Sequence, residues 1–62
     1  MKELLDKIEE YHRNRHLLGK VDKITAIGVI EVIDLLRDDI MDELMELEGS
    51  EYDEARNAFL AL

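Results

Sequence analysis

Cysteine and proline are both missing from this sequence of 62 residues, and nucleophilic side chains are scarce. Without cysteine there is no disulfide and no thiolate zinc site, on which many very small domains depend for stability. One serine and one threonine leave little for a hydrolase of the Ser/His/Asp type. No apolar run approaches the ~18 residues that a membrane-spanning helix requires. We therefore expect a non-enzymatic protein without a cofactor, a metal site or a membrane segment.

The residues that are present are mostly good helix formers, and a few positions predict where the helices begin and end. Gly19 and Gly49 are predicted to end helices, because glycine tolerates the left-handed conformation of a C-cap. Asp22 is a plausible N-cap for a second helix, and Ser50 for a third.

The predicted fold is all-α, a single domain of residues 1–62 with helices at about residues 2–18, 23–48 and 51–61. The segment 24–33 is rich in β-branched residues and also fits a strand. We favour a helix there, because the chain offers no second strand to pair with and the apolar spacing continues unbroken into the following residues.

The long central helix carries apolar residues on two sides. A seam with 3- and 4-residue spacing runs along most of its length and consists of Ala26, Val29, Ile33, Leu36, Ile40, Leu44 and Leu47. At about 100° per residue, a second apolar stripe lies nearly opposite, in the N-terminal half, and consists of Ile24, Gly28, Val32 and Leu35. The two short flanking helices of a single chain can hardly cover both apolar sides of the central helix. We therefore expect a helical homo-oligomer, a dimer or higher, that uses the second stripe as its interface; a compact monomer is the alternative.

The formal net charge of −8 is concentrated in residues 31–54, which hold eleven acids and one base. We predict an acidic face on the central helix, away from the seam, formed by Asp38, Asp39, Asp42, Glu43 and Glu46. Such a face either keeps the protein in solution or binds a protein partner with a basic surface. We expect no direct binding of duplex nucleic acid, because phosphate binding needs a broad positive face.

Residues 11–23 carry a charge of +3 inside this acidic protein. Arg15 falls in line with the apolar stripe of the first helix, where a guanidinium must find an anion or extend to water. The segment either stabilises the helix C-terminus, with Arg15 paired to Glu31 or Asp34, or binds a nucleotide or another anion. The candidate ligands for such an anion are Tyr11, His12, Arg13, Arg15 and Lys20.

Two further interpretations involve His12 and His16, which lie four residues apart and can share a helix face. A metal site there is disfavoured, because neighbouring arginines oppose a cation. Acid–base catalysis by these histidines is disfavoured as well, because nothing in the sequence supplies a substrate pocket.

In size, charge and helix content, the chain resembles small phage-encoded proteins that block host machinery, some of which are helical oligomers that sequester cyclic nucleotides. The resemblance implies an anti-host or anti-defence inhibitor. We expect a binding protein that occupies a macromolecular partner through its acidic face, and the alternative is a small-ligand binder that uses residues 11–23. The N-terminus alternates in charge and lacks the apolar core of a secretory signal, so a cytoplasmic location is expected.

Overall fold

Three α-helices form the computed structural model, which describes residues 1–61. α1 spans Lys2–Leu17, α2 spans Lys23–Met45 and α3 spans Gly49–Leu60. The all-α prediction is confirmed, and no strand occurs in the part of the chain that the structure describes. The segment 24–33 is helical throughout. No helix among these residues combines the length and the apolar character needed to cross a membrane.

The start of α2 agrees with the sequence prediction. Asp22 is the N-cap, in an extended conformation, and its Oδ1 accepts a hydrogen bond from the backbone N–H of Thr25 at 3.2 Å. This bond satisfies one of the N–H groups that a helix start leaves without an internal partner. Hydrogen bonding from the side chain and then the backbone of Thr25 lowers the pKa of Asp22 below its ordinary value of 3.8.

The helix ends differ from the prediction at both glycines. Gly49 is the glycine with a positive φ, at +63°, and it begins α3 instead of ending α2. α2 already ends at Met45, because the next two backbone N–H groups bond to carbonyls three residues back and tighten the last turn. Gly19 follows α1 without a left-handed cap. Ser50 does not cap α3, whose N-cap is Glu48 and has no side-chain hydrogen bond.

One side of each helix contributes to the hydrophobic core. The predicted seam of α2 lies at the centre of this core. Its buried members are Leu4, Ile8 and Tyr11 of α1, Val29, Ile33, Ile40 and Leu44 of α2, and Ala55 of α3. The remaining seam positions of α2 are half-buried. Ile40 exposes none of its surface, so the C-terminal half of α2 holds the most completely enclosed large side chain of this core.

α1 and α2 run antiparallel, and most contacts between helices join these two. Leu4, near the start of α1, lies beside Leu47, just after the end of α2, in a shallow groove that both residues line. One turn further along α1, Lys7 reaches Asp39 and Glu43. The N-terminal half of α1 therefore packs along the C-terminal half of α2.

α3 is too short to accompany this hairpin along its whole length. Near its C-terminal end, Phe59 packs against the ring of Tyr11, and the carbonyl of Ala58 accepts a bond from His12. Phe59 is the second-last residue of α3, so this helix extends little beyond that level. The molecule is correspondingly elongated, with extents of 41 × 18 × 15 Å.

Candidate functional site

The second apolar stripe of α2 lies on the surface of the protomer. Ile24 exposes 81% of its surface and Leu35 exposes 71%, while Val32 and Gly28 are exposed too. Ile27, which the sequence prediction did not include, adds a further side chain with 62% exposure. Monomeric proteins rarely leave contiguous apolar surface of this kind uncovered unless it binds something.

An open groove of about 500 Å³ lies at the C-terminal end of this stripe. The apolar side chains of Val32, Leu35 and Leu36 line it together with the carboxylates of Asp39 and Asp42. Apolar walls beside acids complement an apolar side chain that is followed by a cation. The groove therefore fits a helix or peptide with that pattern.

The acidic face overlaps the groove at Asp39 and Asp42, and Lys7 of α1 lies at the edge of this face. The Lys7 Nζ lies 2.8 Å from Asp39 Oδ2 and 2.6 Å from Glu43 Oε2, and donates to both. These two hydrogen bonds, Asp39 first and Glu43 second, raise the pKa of Lys7 above its ordinary value of 10.5. Two of the five predicted acids therefore already share one cation within the chain.

The other three acids of that face, Asp38, Asp42 and Glu46, are exposed and form no ion pair with any residue between 1 and 61. They are the negative charges that a second molecule can approach without displacing an internal partner. The sequence reasoning missed the role of Lys7. Two features of the sequence indicate these ion pairs: a cation beside the apolar stripe of α1, and two acids four residues apart on α2.

Two of the candidate anion ligands in residues 11–23, Tyr11 and Arg15, make contacts within the chain. Tyr11 is 7% exposed, with its ring centroid 5.1 Å from that of Phe59. The Arg15 guanidinium lies 5.7 Å from the centre of the Tyr11 ring, within the range of a cation–π contact. The expected pair of Arg15 with Glu31 or Asp34 does not form among the described residues, and Asp34 instead pairs with Arg37 at 2.9 Å.

His12 attaches α3 to α1. Its Nε2 lies 2.9 Å from the carbonyl oxygen of Ala58, and since a carbonyl only accepts, the Nε2–H donates. Arg13 and Lys20 are exposed, and Arg13 forms a 3.6 Å ion pair with Glu9 one turn away. Neither groove described above is lined by any of the five predicted anion ligands.

No cluster of three or more metal-ligating side chains forms within residues 1–61. Comparison of the chain with models of protein families, with curated proteins and with solved structures yields no match. The case for any function therefore depends on the outward face of α2, where exposed apolar side chains and unpaired carboxylates are adjacent.

Proposed function

We propose that this chain is a non-enzymatic binding protein that occupies a macromolecular partner with a basic surface. The observation that carries the proposal is the outward face of the C-terminal half of α2. Asp38 and Glu46 are exposed there without an ion pair in the described chain, and Asp42 lies between them at the margin of the groove. These three residues are the core of the proposed partner-binding surface, reduced from the five acids expected on the sequence.

Electrostatics support a partner that carries lysines and arginines. Acids crowded on one helix face create a negative potential that steers a basic surface to the site and disfavours acidic ones. Lys7 compensates only the side of the face nearest to α1, through Asp39 and Glu43. The charge that remains points away from the protomer, as blockade of a partner surface requires.

In its specific form, the proposal is a cytoplasmic inhibitor of the phage-encoded kind that works as a homo-oligomer. The small size, the acidity and the helical fold support this form, and the exposed apolar stripe of α2 supports self-association. A small-anion site in residues 11–23 has less support, because Tyr11 is buried and His12 holds α3.

The test is capture from the native cell with chemical cross-linking, comparing the wild type with an Asp38→Lys, Glu46→Lys double variant. We expect a partner with a basic surface to be captured by the wild type and lost with the double variant. The matched control is Glu51→Lys with Asp53→Lys, which reverses two exposed acids of α3 and should keep the partner. An identical set of captured proteins for all three chains would refute the proposal.

A further inference from the structure

The protomer exposes more surface than its mass accounts for. Its accessible surface is 4787 Å², whereas a folded monomer of 7.2 kDa has about 4,100 Å² on the usual scaling. The excess of roughly 690 Å² is close to the ~800 Å² that each partner contributes to a standard stable interface. Its largest apolar contributors include Ile24, Ile27 and Leu35 on the outward face of α2.

Gly28 lies in the middle of that face and has no function within the protomer. Glycine inside a helix is unfavourable relative to alanine, and it is usually found where the backbone needs a positive φ or a close neighbour. Gly28 has neither, because its φ is not positive and a Cβ added there would meet nothing within 4 Å. A neighbour outside the protomer supplies the missing reason, since a helix without a side chain at this position allows another helix to come close.

Charge decides which neighbour fits and in which direction. Lys20 and Lys23 lie at the N-terminal end of the stripe, whereas Asp39 and Asp42 line the groove at its C-terminal end. Two copies of α2 side by side in the same direction would place like charges together. Two copies in opposite directions place each lysine pair beside Asp42 of the other copy, an acid without an ion pair in the described chain, and do so twice by symmetry.

We infer that a second copy of this chain covers the stripe, with the two α2 helices antiparallel and Gly28 of one protomer against Leu35 of the other. In this arrangement Ile24 enters the partner's groove between Val32 and Leu35, and Lys23 approaches Asp42. This dimer is a specific form of the homo-oligomer in the proposed function and rests on it in that respect, and it leaves Asp38 and Glu46 outside the contact with Asp42 at its border.

The first test is the mass in solution, measured by sedimentation equilibrium at micromolar concentrations. We expect the wild type to have twice 7.2 kDa and Leu35→Asp to have the monomer mass with unchanged helicity. Self-association should weaken by more than about 100-fold in that variant, because each dimer would bury two unpaired carboxylates. Met45→Asp is the matched control: Met45 is 83% exposed on the same helix but outside the stripe, so this variant should stay a dimer.

The variant Gly28→Ala distinguishes an effect on self-association from an effect on the stability of the folded chain. The added methyl meets open space in the protomer, so the variant should resist urea better than the wild type when both carry Leu35→Asp. In the chain without Leu35→Asp, the same methyl should weaken the dimer. A wild-type monomer, a dimer that survives Leu35→Asp, or a Gly28→Ala dimer as tight as the wild type would each overturn the inference.

The direction of the helices is tested by exchanging charges. Lys23→Glu and Asp42→Lys should each weaken the dimer alone, and an equimolar mixture should form a heterodimer, because both of its charge contacts are then attractive. Failure of the mixture to associate would exclude the antiparallel arrangement. Asp38→Lys with Glu46→Lys should leave the mass unchanged, so loss of partner capture in that variant reports on the proposed function alone.

Discussion

The two halves of α2 share one continuous apolar seam but have opposite outward faces. Residues 36–45 pack against α1 and lie next to α3, and their outward side is acidic. Along residues 23–35 the outward side is mostly apolar, with Ile24, Ile27, Val32 and Leu35 exposed. One helix thus presents two different surfaces to solvent, an acidic one along its C-terminal half and an apolar one along its N-terminal half, while both halves contribute side chains to the core.

Truncating a core side chain should produce the largest difference in stability between the two halves of α2. Ile40→Ala removes a side chain with no exposed surface and should lower the free energy of unfolding by about 2–4 kcal/mol, a large part of what a domain of this size has. Leu35→Ala removes a side chain that is 71% exposed and should change the unfolding of the isolated protomer by less than about 0.5 kcal/mol. Urea titration at a concentration below self-association measures both. Equal losses of unfolding free energy in the two variants would contradict this difference between the two halves of α2.

The contribution of α3 is tested at its attachment to α1. His12→Ala removes the hydrogen bond to the Ala58 carbonyl and leaves that oxygen without its partner, at a cost of about 1 kcal/mol. We expect amide protection to fall most in α3, next in residues 36–45 of α2, and least in residues 23–35. Hydrogen exchange by NMR follows each amide separately. Uniform loss of protection along α2 would mean that α3 supports both halves equally.

Lys7→Gln tests whether the ion pairs hold the acidic half against α1. Without the cation, Asp39 and Glu43 repel each other, so the urea midpoint should fall, and the difference should shrink at high salt. The control is Arg13→Gln, whose exposed ion pair with Glu9 spans 3.6 Å and should contribute little.

The same contacts predict a dependence on alkaline pH. The pKa of Lys7 is higher in the folded chain than its ordinary 10.5, so its stabilising contribution is complete below pH 10.5. That contribution is lost as the pH rises through the folded pKa, because the neutral amine no longer attracts the carboxylates. Stability curves of the wild type and Lys7→Gln should therefore converge at strongly alkaline pH, and parallel curves would contradict this account.

The smallest effect is expected at the start of the apolar half. Asp22→Ala removes the N-cap of α2, so it should lower the urea midpoint slightly and fray the first turn. Because folding lowers the pKa of Asp22, the contribution of the cap is present above pH 3.8 and is lost as the pH falls through the folded pKa. Asp22→Asn keeps an acceptor and is the control. A wild-type chain with the same acid sensitivity as Asp22→Asn would contradict the assignment.

The sequence predicted the helices and the buried side of α2 well, because the 3- and 4-residue apolar spacing is a local pattern. It did less well at helix ends. The chain turns at Glu46, three residues before Gly49, and no pattern of residue types in that segment marks the tightened turn. It also grouped Tyr11 with the exposed arginines, since adjacency in sequence says nothing about which ring packs against Phe59.

The sequence by itself determined that this chain is helical, that α2 has two apolar sides, and that its charge is divided between a basic and an acidic segment. These properties depend on residue type and spacing along one helix. Which carboxylates Lys7 binds and which side chains of α1 meet α3 follow only from the packing of the helices. These contacts join residues that are far apart in the sequence, as Phe59 with Tyr11 and Ala58 with His12, and the spacing of residues along one helix carries no information about them.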